Sequence, residues 1–435
     1  MNGTEIPENR SELVFEDTKP AYDAHQATTE AFRCLYCEDA PCVQACPTHI
    51  DIPQFIRKIG TGNVEGSART IFEANILGMS CARVCPVEVL CVGDCVYNAM
   101  DLPPIQIGRL QRYATDRAYE AGWRFFEAGP DTGKSVGIVG AGPGGLATAH
   151  ELRRLGHAVT LYERRAVVGG LNSTGVAPYK MKADASIAEA RWVLSIGGIE
   201  VKTGVTVGQD ISFEQLEGTH DALVLAFGLG ADSRLGVEGE DLEGVFGAVE
   251  FIERFKLGSV QLDGVRRALV IGGGNTALDA VRELRGLGVE EVTLVYRGTE
   301  AKMSGYAHEW KAAKLEGVRA AWRTQPVAFI GDGRVRAARC ISLDDAKQPI
   351  AGSEHELEAD LVLLAIGQGK LGDLAKGLVG VEVDRGRIRV GEGGATGRPG
   401  VYAVGDAANG GTEVVYASAE GKAAAHAIDR YLKGE

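Results

Sequence analysis

Eight of the nine cysteines lie between residues 34 and 95, in two compact runs. The first is Cys34-Leu-Tyr-Cys37-Glu-Asp-Ala-Pro-Cys42-Val-Gln-Ala-Cys46-Pro47, with C-x2-C-x4-C-x3-C-P spacing. The second is Cys81-Ala-Arg-Val-Cys85-Pro86, followed by Cys91-Val-Gly-Asp-Cys95. Short spacings let several thiolates converge on one metal centre. A closing Cys-Pro also ends the bacterial iron–sulfur run, whose last cysteine serves the other of two clusters. The spacing predicts a two-cluster iron–sulfur domain in an electron-carrying chain. Disulfides would suit a secreted chain, but no apolar signal-peptide core follows Met1. Structural zinc stays open, because four-cysteine zinc sites use similar short pairs. Cys340 stands alone and reads as a small residue in a strand.

Glycine turns supply the second chemistry. Ser135–Val139 reads as a strand, Gly140-Ala-Gly142-Pro143-Gly144-Gly145 follows at once, and residues 146–155 read as a helix. A second strand, 157–162, ends in Glu163, 18 residues past Gly145 and near the ~20-residue offset of a ribose-binding acid. In this unit the first glycine permits the turn, the second lets a pyrophosphate approach the backbone, and the third allows close helix–strand packing. The helix N-terminus then offers free N–H groups to the phosphates. The unit recurs as a strand at 267–271, the turn Gly272-Gly-Gly274-Asn275-Thr276-Ala277, a helix at 278–287 and a strand at 291–296. This copy ends in Arg297, which tolerates a 2′-phosphate where an acid would bind a free hydroxyl. The two turns therefore predict two different nucleotides. Further on, Gly405-Asp406 ends a short strand, and Thr412-Glu413-Val414 opens a helix reaching about residue 432.

These groups need several domains to carry them. At 435 residues the chain exceeds a single core. Its 59 glycines are about twice the usual ~7%, as expected where backbone must approach ligands. Net charge is −13 without a basic block, which argues against nucleic acid. No run of about 18 apolar residues predicts a membrane span. The cysteines suit a reducing cytoplasm. Residues 1–20 are expected to form a poorly ordered tail. Residues 21–128 form the helical cysteine domain, with helix-like apolar spacing at 52–59 and 64–77. The turn-rich stretch 129–133 is a boundary. Strand–turn–helix order after it predicts parallel α/β domains.

The chain resembles flavoproteins of the disulfide-reductase type, with two nested nucleotide domains. Gly140–Gly145, Glu163, Gly169-Gly170-Leu171 and Gly405-Asp406 look like the FAD half; the turn at Gly272–Gly274 looks like the pyridine-nucleotide half. No C-x-x-C lies in either half, so thiol–disulfide exchange is not the expected chemistry. Over residues 25–432 the chain resembles the flavin-containing electron-input half of dihydropyrimidine dehydrogenase, and more broadly the small subunit of glutamate synthase. The narrower likeness rests on Cys46-Pro-Thr-His-Ile-Asp-Ile52, Cys85-Pro86, Leu90-Cys91 and Ile105-Gln-Ile107-Gly108-Arg-Leu-Gln111.

The resemblance implies an α/β fold with an N-terminal helical iron–sulfur domain and two nested Rossmann-like domains. FAD falls to residues 134–240 and 370–435, and NADH or NADPH to 241–369. It also implies two [4Fe-4S] clusters, one on Cys34, Cys37, Cys42 and Cys95, the other on Cys46, Cys85, Cys91 and Gln111. Cys81 is then no ligand, whereas spacing alone divides eight cysteines equally. Thr412, Glu413 and Val414 are expected at the flavin pyrimidine edge. Relatives that use NADPH often carry a second basic residue after the strand-end arginine; here Gly298 follows Arg297, which favours NADH. No acid–base pair is expected, and His49 and His308 read as structural. The partner implied is an FMN- and iron–sulfur-containing barrel subunit in a hetero-oligomer. A redox- or nucleotide-sensing module is the non-enzyme alternative.

Overall fold

The computed structural model describes residues 6–435. The cysteines sit in a helical layer whose elements are set by local capping. Asp51 caps the helix Ile52–Gly60 by accepting from the Gln54 N–H at 3.0 Å. That helix buries Ile52, Phe55, Ile56 and Ile59, a stripe at helical spacing. The helix Val64–Ala74 stops three residues short of the expected 77. Asn75 takes an extended conformation there, and its amide oxygen accepts from the Leu77 N–H and the Ser418 hydroxyl. A fresh helix, Gly78–Val84, then carries Cys81 against the long helix Ile107–Glu120.

Two parallel five-stranded sheets follow. The first orders its strands as 401–403, 222–225, 135–139, 158–163 and 199–203. The second orders them as 245–247, 361–364, 267–271, 291–296 and 319–322. The second sheet is inserted in the first through an antiparallel pair, Leu229–Asp232 with Gln368–Lys370, so the chain crosses out and back side by side. The helix Val414–Lys433 closes the first sheet by packing on the helix Pro143–Arg154. Small residues make that approach possible: a Cβ on Gly421 would stand 2.5 Å from the Gly144 carbonyl oxygen. A three-stranded antiparallel layer, Thr324–Asp332, Arg334–Ser342 and His355–Glu358, has no counterpart in the parallel pattern read from the sequence. Cys340 lies in its middle strand, fully buried.

The expected loose tail needs correction where it is described; residues 1–5 lie outside the described residues. From Arg10 to Pro20 the chain is tied down along its length. Glu12 is fully buried and accepts from the Ala183 N–H. Phe15 packs between Tyr179 and Phe255, with ring centroids 6.5 and 6.1 Å away. Thr18 donates its N–H to the Tyr179 carbonyl, and Asp17 pairs with Arg112 at 2.6 Å. One apolar ring and two buried charges outweigh the polar composition of the segment.

Candidate functional site

The first glycine turn joins the strand Ser135–Val139 to the helix Pro143–Arg154. Gly140 has φ +108°, and a Cβ there would meet the Ala226 carbonyl oxygen at 2.3 Å. Gly145 packs helix on strand, since its Cβ would stand 2.1 Å from the Gly140 carbonyl oxygen. Gly142 differs from both: the nearest atom to an added Cβ is the Gly170 Cα at 3.8 Å, and its open side faces the cavity. Glu163 ends the next strand, and its carboxylate accepts from the Ala141 N–H at 2.9 Å and the Arg165 N–H at 2.8 Å. It therefore braces the turn, with its remaining lone pairs available to a ribose.

The second turn repeats this geometry. A Cβ on Gly272 would meet the Ala365 carbonyl oxygen at 2.2 Å, while Gly274 has only the Ser304 hydroxyl within 4 Å, at 3.7 Å. The helix Asn275–Gly286 starts there, and the Asn275 side chain accepts from the Tyr306 N–H. Arg297 is exposed at the end of the strand Glu291–Tyr296, with no ion-pair partner among the described residues. Gly298 has a packing cause: a Cβ there would stand 2.7 Å from the Tyr296 ring.

Both turns open on one cavity of about 870 Å³. Its wall takes Gly140, Gly142, Pro143 and Gly144 from the first turn and Glu163 from the end of the next strand. Gly170, Leu171, Gly405 and Asp406 join them. Thr412, Glu413 and Val414 bring the start of the helix Val414–Lys433, whose positive end favours developing negative charge. Asn275 and Thr276 enter from the other domain; Gly145, Gly272, Gly274 and Arg297 lie outside the lining. An extended ligand spanning two nucleotide sites suits this shape, and Gly142 leaves the cradle that a pyrophosphate needs.

A charged group on the wall escaped sequence reasoning. The Lys180 ammonium lies 2.7 Å from Asp279 and 2.7 Å from Glu309. Burial alone would lower its pKa, but the two carboxylates outweigh that and raise it, so it stays protonated. Tyr306 donates its hydroxyl proton to Glu413 at 2.8 Å, across the two nucleotide domains. Burial raises the Glu413 and Asp406 carboxyls above the usual range. These groups set a fixed cation and a hydrogen bond between the two nucleotide domains on the cavity wall. His308 stacks on Tyr306 and stands 3.6 Å from Glu88, while His49 is exposed.

The cysteines gather in two places. Cys34, Cys37, Cys42 and Cys95 line one small apolar cavity, closed by Ile52 and Ile56. Burial pushes the Cys42 thiol up to about 12 and raises Cys34. Iron would reverse this by binding the thiolates, as metals do. Cys46, Cys85 and Cys91 lie within electrostatic reach of one another. Gln111 is buried on the helix Ile107–Glu120, and its amide nitrogen donates to the Gly78 carbonyl at 2.7 Å, at the start of the helix that carries Cys81. Cys81 contacts Cys85 and accepts from the Asn75 amide at 3.1 Å. Thiols spread around a cavity suit the corners of a cluster. Val84 and Pro86, on either side of Cys85, line the large dinucleotide cavity.

Comparison with known proteins bears on the same regions. Residues 134–421 match the model for the pyridine nucleotide-disulphide oxidoreductases. This chain belongs to that family. Residues 10–123 match dihydropyrimidine dehydrogenase domain II, 4Fe-4S cluster. The chain is 36% identical over 421 residues to the NAD-dependent dihydropyrimidine dehydrogenase subunit PreT of Escherichia coli (strain K12), covering 96% of this chain and 97% of that protein. It is 34% identical over 451 residues to the glutamate synthase [NADPH] small chain of the same strain, covering 97% and 94%. Solved structures share the fold of the two nucleotide domains. Mycobacterium tuberculosis FprA in complex with NADPH gives a TM-score of 0.56 at 22% identity, over 69% of this chain and 85% of that one. Thioredoxin reductase of T. acidophilum gives 0.53 at 22% identity, over 69% and 99%. The chain is an NAD(P)H-dependent oxidoreductase subunit using FAD and iron–sulfur. Among the described residues no helix is long and apolar enough to cross a membrane.

Proposed function

We propose that this chain is the electron-input subunit of a dihydropyrimidine dehydrogenase. The observation that carries the electron-input reading is the position of Cys85, whose two chain neighbours wall the cavity into which both glycine turns open. When bound, FAD would supply hydride acceptance from NADH, and two [4Fe-4S] clusters would supply one-electron transfer. Gly142 and the helix behind it bind the FAD pyrophosphate, while Glu163 braces that turn. Asn275 and Thr276 orient the nicotinamide nucleotide. Lys180, fixed by Asp279 and Glu309, holds a positive charge beside the site of reduction. Cys46, Cys85, Cys91 and Gln111 form the flavin-proximal cluster site; Cys34, Cys37, Cys42 and Cys95 form the outer one.

The electrons leave to a barrel subunit that holds FMN and iron–sulfur and reduces uracil or thymine. The Pro-Thr-His-Ile-Asp-Ile string after Cys46 and the 36% identity to a PreT subunit support that partner. The second reading, a glutamate synthase small subunit, draws on the 34% identity over a similar span. The test is reconstitution. The anaerobically purified chain should hold FAD and two clusters and reduce dyes with NADH. It should oxidise NADH in a uracil-dependent way only after a dehydrogenase barrel subunit is added. Uracil reduction by the chain alone refutes the two-subunit reading. Glutamate formation with a glutamate synthase large subunit refutes the narrower assignment, and failure to turn over NADH leaves a sensor.

A further inference from the structure

The segment Arg10–Pro20 touches the cysteine domain and both nucleotide domains. Ser11 donates its N–H to the Gly258 carbonyl and accepts from the Val260 N–H in the inserted domain, both at 2.9 Å. Phe15 fills a seat there that Gly286 keeps open, since a Cβ on Gly286 would stand 2.3 Å from the Phe15 ring. Glu12 caps the helix Ala183–Leu194 of the first nucleotide domain. Asp17 and the Lys19 carbonyl are both held by Arg112 of the cysteine domain. Arg109 of the same helix donates to the Pro20 carbonyl at 3.0 Å.

This strap ends on a charge. The Lys19 ammonium donates to the carbonyl of Cys85 at 2.9 Å. Among the described residues it has no carboxylate partner. Nearby Arg83 and Arg112, by contrast, both pair with Asp116. Lys19 also reaches Cys91 electrostatically. An unneutralised cation thus stands at two of the three cysteines assigned to the flavin-proximal cluster.

Reducing a [4Fe-4S] cluster adds one electron and no compensating group, so net charge and hydrogen bonds around it set its potential. We infer that Arg10–Pro20 is an interdomain strap that positions the Lys19 ammonium to raise the reduction potential of the cluster on Cys46, Cys85 and Cys91. Lys19 is a positioning charge and touches no reacting atom. The inference rests on the proposed cluster ligands.

The test is a redox titration followed by electron paramagnetic resonance. The proximal signal is the one missing from Cys85→Ser. At a fixed potential, Lys19→Met should shift the reduced-to-oxidised ratio of that signal about tenfold toward oxidised, which is 59 mV for a one-electron couple. Lys19→Arg should keep the wild-type ratio. Phe15→Asp, which unseats the strap, should reproduce the Lys19→Met shift although Lys19 is present. An unchanged midpoint in Lys19→Met overturns the inference. So do equal shifts in Lys19→Met and Lys19→Arg, which would trace the effect to packing. Loss of the cluster from Lys19→Met with flavin retained would make Lys19 a structural clamp and overturn it as well. Absence of any cluster signal from the wild-type protein would instead sink the proposed function.

Discussion

Gly142→Val separates binding from folding more cleanly than any other change at this site. The Gly142 backbone has φ −79° and ψ −174°, extended values that any residue adopts. The nearest neighbour of an added Cβ is 3.8 Å away, an ordinary contact. The substitution should cost the flavin-free fold only the N-cap preference, about 1 kcal/mol. Flavin binding should suffer far more, because the new side chain fills the seat of the pyrophosphate. Two charge-assisted bonds from the helix N-terminus, each worth about 1.5–3 kcal/mol, would be lost. The sum of about 3–6 kcal/mol corresponds to a rise in Kd of roughly 10²- to 10⁴-fold. The assay is a fluorescence titration of the flavin-free protein with FAD, beside thermal unfolding of both flavin-free forms. Gly140→Val is the contrast: φ +108° and a 2.3 Å clash with Ala226 should destabilise the protein before any ligand is added. Wild-type FAD affinity in Gly142→Val would refute the cradle. So would a flavin-free Gly142→Val protein that is itself unfolded, since its loss of flavin would then report folding.

Cys81→Ser should leave iron content unchanged, whereas Cys85→Ser should lose one cluster; equal losses by iron and sulfide analysis would undo the ligand assignment. NADH should give a higher kcat/KM than NADPH in a ferricyanide assay, because Gly298 leaves Arg297 without a second basic side chain beside it to clamp a phosphate. A tenfold preference for NADPH, about 1.4 kcal/mol, would show that Arg297 suffices alone. Glu189 is fully buried and accepts from the Met79 and Ser80 N–H groups; burial lifts its pKa from the ordinary 4.5 to about 7. The folded state thus keeps a proton that the unfolded state releases between these values, so stability falls as pH rises from 4.5 to 7, by about 3 kcal/mol at 1.36 kcal/mol per pH unit. Glu189→Gln should flatten the decline of Tm between pH 5 and 8, and an identical decline would exclude Glu189 as its source.

Local chemistry was legible in the sequence; convergence over long separations was not. Each glycine turn is written in consecutive residues, because a strand, a tight turn and a helix need only their own neighbours. The two cysteine runs are legible as runs for the same reason, but their grouping is not, since Cys95 of the second run lines one cavity with Cys34, Cys37 and Cys42 of the first. Lys180, Asp279 and Glu309 meet from three separate elements, and each alone reads as an ordinary surface charge. One signal was available: Asp279 and Glu283 lie four apart on the buried side of their helix, where two acids demand an explanation. The first 20 residues misled because composition averages over Phe15, and one well-seated ring decides the matter. The antiparallel layer was also missed, although Val335, Ala337 and Cys340 place buried residues along one strand.

The inserted arrangement also fixes an order in time. All eight residues assigned to iron precede residue 112, so they leave the ribosome early. The flavin cradle cannot exist then. Its far wall is Gly405, Asp406 and Thr412–Val414, and the strand Val401–Ala403 lies at the sheet edge that supports it. Ser418 and Lys422 of the last helix also fasten the cysteine domain, through Asn75 and the Glu73 carbonyl. A nascent chain can therefore meet iron before it can meet flavin. A chain interrupted near residue 400 would retain all eight residues proposed to hold iron and yet lack the far wall of the proposed flavin cradle.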